Sequence, residues 1–319
     1  MKHARPNDNA APAPALLSGD PRPRPDWIRR YCAGVSVFTA ATLLAALGLL
    51  LWESRFLLNY GPVEFATGAE WFYRDQLFGA LPMIYGSAAV SATALGLALP
   101  LGLGTAVLAS EYLPPGLRLV LKSTIELLAG IPSVIYGLIG VLFLREWVYH
   151  ALAPFDPFSG DSLLTAGILL AVMILPTVTT LSDDALRAVP SRQRAASRAL
   201  GLTRAETILR VVFPQAAPGL ITAALLGLGR ALGETIAVFL VVGRQDNQLP
   251  DHPFDFGPLV APGQTLTSKL GGPEVQIAYG APLHWSALLG LALLLLLLVV
   301  LCLLAAAALR RFMRKDGHA

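Results

Sequence analysis

Arg230 and Glu234 lie four residues apart inside a long apolar run, residues 217–243. At helical spacing they share one face. Arg230 is fourteenth of those 27 residues, near the middle of any helix that crosses a bilayer there. A guanidinium at that depth costs at least about 2.5 kcal/mol on insertion scales, so it must face protein or water and have a partner. Two uses are open. The pair can be a permanent ion pair that fixes helix packing. Alternatively, Arg230 supplies the positive site that an anion needs on a low-dielectric path, with Glu234 holding it when no anion is there. Side-chain chemistry alone weighs the two equally. Gly229 and Gly233 beside them make a small-xxx-small pattern, which permits close helix approach.

Other chemistry is missing from the sequence. A phosphate-binding loop needs Gly-x4-Gly-Lys-Ser/Thr. The nearest approach, Gly116 to Lys122-Ser123, has Leu121 where the second glycine belongs. No zinc pattern of the His-Glu-x-x-His kind and no Gly-x-Ser-x-Gly elbow is present. Cys32 and Cys302 both fall in apolar runs, so neither a disulfide framework nor a metal cluster is expected. The chain therefore has no expected catalytic residue, metal site or cofactor, and any ATP hydrolysis belongs to a partner chain. Nucleic acid is not an expected partner despite a pI near 9.0, because the basic residues do not form a binding face.

The elements that must position Arg230 follow from composition. Of 319 residues, 55% are hydrophobic and 14% charged, and mean hydropathy is +0.59. That is more apolar material than one water-soluble core absorbs, and it comes in long runs. A bilayer needs roughly 20 helical residues per crossing. Six segments qualify: 32–52, 83–110, 123–144, 162–181, 217–243 and 285–309. The expected fold class is all-α, a polytopic membrane protein of six transmembrane helices. Glu126 near the inner end of the third span reads as a snorkelling residue, and Pro132 and Pro176 as bends in the third and fourth spans.

Orientation follows from the basic residues. With both termini inside, the cytoplasmic segments hold 18 of the 24: six before the first span, Arg118 and Lys122, six from Arg187 to Arg210, and four after Leu309. Outside lie Arg55, Arg74, Arg145, Arg244 and Lys269. Acids outnumber bases there by eleven to five, so a bare outer surface repels an anion. Residues 1–28, rich in Pro, Ala and charge, read as a disordered cytoplasmic tail. The first span reads as a signal anchor in preference to a cleaved signal peptide, since it ends in Leu-Leu-Trp-Glu with no small-residue cleavage pattern.

The inner loop 182–215 is too long for a turn between neighbouring helices. Pro190 and Ser191 can open one short helix, Gly201 can end it, and Thr203 with Glu206 forms a capping box for a second that runs to Phe213 before Pro214. The product is a basic amphipathic helix-turn-helix, and a loop lying on lipid headgroups is an equal alternative. The outer segment 244–284 carries Asp246, Asp251, Asp255 and Glu274; it can dock an external partner or be a plain extracellular loop.

These loops carry a resemblance. Ala195-Ala196-Ser197, Gly201 and Val211-Val212-Phe213-Pro214 are similar to the cytoplasmic pattern Glu-Ala-Ala-x3-Gly-x9-Ile-x-Leu-Pro of the permease subunits of ATP-binding-cassette importers. Ala196, Gly201 and Pro214 agree with it, while Ala195 stands where the pattern has its acid. Ile131-Pro132-Ser133-Val134-Ile135-Tyr136-Gly137, Gly227 to Val238, Thr265 to Lys269 and His284 to Leu288 resemble the phosphate-specific, PstC-type members of that family from about Leu81 to Leu309.

That resemblance implies the type I importer (MetI-like) permease fold, with 29–80 holding the first helix and an outer loop and 81–319 the permease core, whose coupling loop is 182–215. It implies an inner-membrane phosphate permease working with a PstA-like permease, a PstB-like ATPase dimer and a PstS-like phosphate-binding protein. Arg230 and Glu234 would line the substrate pathway, and Ala195, Ala196, Ser197, Gly201 and Pro214 would couple to the ATPase. A permease for another oxyanion, sulfate or molybdate, and a membrane sensor or assembly subunit without a path are the alternatives.

Overall fold

The computed structural model describes residues 26–55, 59–155, 157, 159–252 and 255–316, so most of the expected tail lies outside the described residues. The chain divides into two compact units, Met1–Leu49 and Leu50–Ala319. The first is carried by helix α1 (Asp26–Glu53), so the last three positions of the expected tail are helical. Apolar side chains such as Phe38, Leu43 and Leu44 are exposed on different faces of α1. A helix apolar all round suits hydrocarbon, not water.

The larger unit opens with α2 (Pro62–Thr67) and a hairpin of β1 (Trp71–Phe72) and β2 (Leu77–Phe78), which the sequence reading lacked. Helix α3 (Leu81–Val107) ends in a π turn, Leu108–Tyr112. Next come α4 (Pro115–Ala129) and then α5 (Ser133–Ile139), which continues through a π turn into α6 (Arg145–Ala151). Helix α7 (Leu163–Arg187) is capped by Ser162, whose hydroxyl accepts from the Thr165 amide at 3.0 Å. After α8 (Ser191–Ala199), α9 (Arg204–Thr207) runs through the π turn Ile208–Val212 into α10 (Phe213–Gly233). Helix α11 (Ile236–Val241) leads to the short helices α12 (Gly257–Val260), α13 (Leu266–Leu270) and α14 (Glu274–Ala278), and α15 (Pro282–Asp316) closes the chain.

Among the described residues six helices are long and apolar enough to cross a membrane, as the sequence predicts, but three differ from expectation by six residues or more at one end or both. The third crossing helix is Ser133–Ala151 instead of 123–144. Pro132 offers no amide and disfavours helix at the residue before it, so the chain breaks at 130–132 where a bend was expected. Glu126 consequently sits, exposed, in the separate helix α4. The fifth differs at both ends, as described below. Pro176 is carried inside α7, which runs to Arg187, so the inner loop starts six residues later than expected.

Helices α3 and α7 form the centre. Val90, Ala94, Leu170 and Ile174 are buried between them with Val238 and Val241 of α11. Glycines make this approach possible. A Cβ on Gly167 would stand 2.6 Å from Thr93, and one on Gly86 only 2.0 Å from the Gln264 carbonyl oxygen. Gly86→Ala should therefore destabilise the chain by about 1–3 kcal/mol through overpacking. Gly104→Ala, where a Cβ meets nothing within 4 Å, should change little. Denaturation midpoints of the two variants in detergent check this.

A second cluster joins Phe65, Trp71, Phe78, Met83, Leu266 and Leu288, which fastens the hairpin and the segment 244–284 to α15. The Leu163 amide donates to the Ala261 carbonyl at 3.3 Å, placing that segment at the start of α7. Helix α8 follows the other end of α7, about 37 Å away for its 25 residues.

Candidate functional site: a membrane-embedded arginine and a two-helix loop

Helix α10 ends at Gly233. Glu234 is extended, with ψ 124, and α11 begins at Ile236, so the expected continuous span 217–243 is two helices separated by a break. Glu234 holds that break together. Its carboxylate accepts from the Ala237 amide at 3.3 Å, and its carbonyl accepts from the Thr267 hydroxyl at 2.8 Å. The expected Arg230–Glu234 ion pair is absent among the described residues. An i,i+4 pair needs helix through both positions, and here the backbone leaves the helix before the second.

Arg230 turns instead to α7, where its Nη1 donates to the Thr177 hydroxyl at 3.0 Å. The side chain is exposed, and its Nε and Nη2 have no hydrogen-bond partner among the described residues. One arm of the guanidinium is thus positioned and the rest is open, a forked donor suited to an oxyanion. Gly229 and Gly233 have nothing within 4 Å of a Cβ position, so no neighbour among the described residues packs against these two positions. Beside the break, Ser87, Ser91, Glu234, Thr265 and Thr267 line a polar void of about 10 Å³, the scale of one water.

The two-helix loop lies at the opposite end of α7 from the segment 244–284. Helix α8 starts at Ser191 after Pro190, and Gly201 takes the left-handed conformation (φ 86) that turns the chain out of it. The capping box at Thr203 is present, with the Thr203 amide donating to Glu206 at 2.9 Å. Of the motif residues, Ala195 and Ala196 face outward, whereas Ser197 is buried and donates to the Thr207 hydroxyl at 3.2 Å, joining α8 to α9. Pro214 does not end the second helix. In the π turn the Phe213 amide reaches back to the Ile208 carbonyl, and this wider turn receives the following proline, which has no amide to give. The fifth crossing helix is therefore Arg204–Gly233.

Sequence reasoning missed several charged groupings, three of which close around a buried charged side chain, Glu111, Asp183 or Lys269. Arg194 of α8 forms an ion pair with Glu111, whose side chain is 5% exposed, and donates to the Leu186 carbonyl at 2.6 Å. Arg118 of α4 pairs with Asp183 of α7 at 2.6 Å. Lys269, only 1% exposed, pairs with Glu274 and, at 2.7 Å, with Asp246. Glu274 also accepts from Trp71 Nε1 at 2.6 Å and bonds His284 Nε2 at 2.8 Å. Charge counting treated Arg118, Arg194 and Lys269 as free bases. Their partners lie in other elements, and no spacing rule links them. The cavity beside the Lys269 cluster, about 620 Å³, is lined by Arg74, Arg244 and Lys269 together with Asp75, Asp246 and Glu274, a balanced set of charges.

Comparison with known proteins is consistent with this arrangement. The family described as binding-protein-dependent transport system inner membrane component matches residues 98–315. The probable ABC transporter permease protein YqgH of Bacillus subtilis is 40% identical over 227 residues, 70% of this chain and 72% of that protein. The phosphate transport system permease protein PstC of Mesorhizobium japonicum is 33% identical over 296 residues, 84% and 87% of the two chains. Its counterpart in Xylella fastidiosa is 33% identical over 304 residues, 90% of each. Among solved structures, the inward-facing MetNI methionine ABC transporter aligns with TM-score 0.54 at 22% identity, over 72% of this chain and 93% of that one. A bacterial alginate ABC transporter aligns with TM-score 0.58 at 14% identity, over 91% and 96%. These structural likenesses establish the fold, that of MetI-like permeases. A chain with this bundle, matched by that family over more than half its length, belongs to the binding-protein-dependent inner membrane components: it is a multi-pass permease subunit of an ABC transporter and not an enzyme.

Proposed function

We propose that this chain is the PstC-type permease of an ATP-driven phosphate importer, and that the phosphate passes Arg230. The observation that carries the reading is the guanidinium itself, held by Thr177 through one nitrogen and otherwise open in the last turn of α10, beside the break at Glu234. A forked cation of this kind matches the tetrahedral oxygens of phosphate, and a low-dielectric surrounding strengthens the contact. The relatives named phosphate permeases support the choice of anion.

The bare strip at Gly229 and Gly233 suits a second permease, PstA-like, which would complete the path beside Arg230. Two copies of a PstB-like ATPase would take the two-helix loop, with Ala195, Ala196, Gly201 and Pro214 in that contact and Leu200 and Leu209 supplying exposed apolar surface. Since Ala195 replaces an acid, that contact would rest on shape and on the loop's arginines. A PstS-like binding protein would bring phosphate to the face holding residues 244–284, which removes the problem of an acidic mouth. In this reading the chain sits in the bacterial inner membrane with both termini cytoplasmic, as 18 of 24 basic residues favour.

The test is radiolabelled uptake by vesicles holding this chain, its partner permease, ATPase and binding protein. Phosphate uptake should require ATP and each protein and should survive ionophores. Competition by sulfate or molybdate at equal concentration would transfer the assignment to another oxyanion, and ATP hydrolysis without any uptake would point to a sensor.

A further inference from the structure

The π turn Leu108–Tyr112 at the end of α3 is held from two sides by the two-helix loop. Arg194 of α8 pairs with Glu111, whose side chain is buried, and fixes its other nitrogen on the Leu186 carbonyl at the end of α7. Arg204, the first residue of α9, lies over the Tyr112 ring at 4.7 Å. Each loop helix therefore places one guanidinium on one of two adjacent residues of the same turn. The turn is a π turn, with one residue more than an α turn would hold, a geometry common where a helix serves function.

From Glu111 the contacts run back into the bundle. Helix α3 is seated against α7 at Gly102, where a Cβ would come within 2.9 Å of Val178. The residue before Val178 is Thr177, which positions Arg230.

We infer that Glu111, Tyr112, Arg194 and Arg204 are positioning residues for transport: they clasp both loop helices to the end of the second span. ATPase movement is thereby delivered to α3 and α7, and through them to the arginine. Without the clasp, loop movement still enters α10 along its continuous helix but is not passed to the end of α3. This rests on the reading that a separate ATPase engages the loop, but not on which solute is carried.

Two readouts test it in the assembled complex. The first is solute carried per ATP hydrolysed. Arg194→Met and Glu111→Gln should each lower that ratio about tenfold with hydrolysis within about twofold of normal, and the double variant should be no worse than the poorer single one, since both remove one device. The second is the distance between spin labels at Leu101→Cys and Leu142→Cys, two exposed side chains, with Cys32 and Cys302 replaced by Ala. Vanadate trapping should change that distance in the parent and at most one fifth as much in Arg194→Met. This readout is independent of the solute, so a failure of the phosphate assignment leaves it intact.

Arg204→Met, at an exposed position, covers the case in which the buried variant does not assemble, and Tyr112→Phe against Tyr112→Leu shows whether the ring is what matters. Unchanged solute-to-ATP ratios in Arg204→Met and Arg194→Met would overturn the clasp. So would losses in the double variant that multiply to about a hundredfold, or a parent complex whose label distance ignores nucleotide.

Discussion

Arg230→Gln should abolish phosphate uptake, a fall of about a hundredfold or more, while the chain still assembles with its partners. Removing one member of a desolvated, hydrogen-bonded charge contact typically costs roughly 2–5 kcal/mol, and about 1.4 kcal/mol is tenfold. The fold should tolerate the change: Arg230 lies exposed in the last turn of α10, makes one side-chain hydrogen bond among the described residues, and forms no ion pair with Glu234 whose loss would strand a carboxylate. Two companions separate charge from geometry. Arg230→Lys keeps the charge and loses the fork, so uptake should fall by about tenfold. Thr177→Val keeps the guanidinium but frees its positioned arm, so affinity should weaken more than maximal rate. Initial uptake rates against phosphate concentration, with co-purification of the ATPase as the assembly control, decide the matter. Normal uptake by Arg230→Gln would remove the arginine from the path.

The sequence alone already supports a loss of uptake on removing Arg230; the structure changes the physical reason the fold tolerates it. Spacing put Arg230 and Glu234 on one helical face, where they would neutralise each other. Periodicity has no signal for a helix that stops after Gly233 and restarts at Ile236, because both halves are equally apolar. The break became visible only with the tertiary partners that compensate it, the Ala237 amide and the Thr267 hydroxyl. Glu234 is thus a backbone-holding residue of the junction, and the cation is left open.

What was legible followed local rules. Long uncharged runs gave the number of crossing helices, since no soluble packing accommodates them. Pro190-Ser191, Gly201 and the Thr203–Glu206 box marked the loop helices because each signal satisfies or frees backbone groups within a few residues. Prolines were the weak point. Pro132 breaks a helix, Pro176 rides inside one and Pro214 enters one through a π turn, and the outcome depends on what tertiary structure offers the orphaned carbonyl. The ion pairs were least legible of all: Arg194 and Glu111 are 83 residues apart, Arg118 and Asp183 65.

The segment 244–284 provides the other large effect. Glu274→Ala should destabilise the chain by about 3–5 kcal/mol, the usual consequence of stranding a buried charge. Lys269, 1% exposed, would keep Asp246, itself one third exposed, as its carboxylate partner, with the Trp71 ring 5.1 Å away. The same substitution would take the acceptor from Trp71 Nε1 and from His284, two residues of the aromatic packing that fastens the β1–β2 hairpin to α15. Removing both charges at once, in Lys269→Met with Glu274→Gln, should recover much of the loss, since a buried pair replaced as a pair is often close to neutral. Denaturation midpoints in detergent separate these cases, and equal losses in the single and double variants would show that the charges do not act together. The consequence for transport is specific. If this cluster pins the hairpin and the 244–284 segment as one surface, Glu274→Ala should weaken docking of the binding protein in proportion to lost stability, whereas the double variant, which keeps only the partly exposed Asp246, should dock more nearly as the parent does.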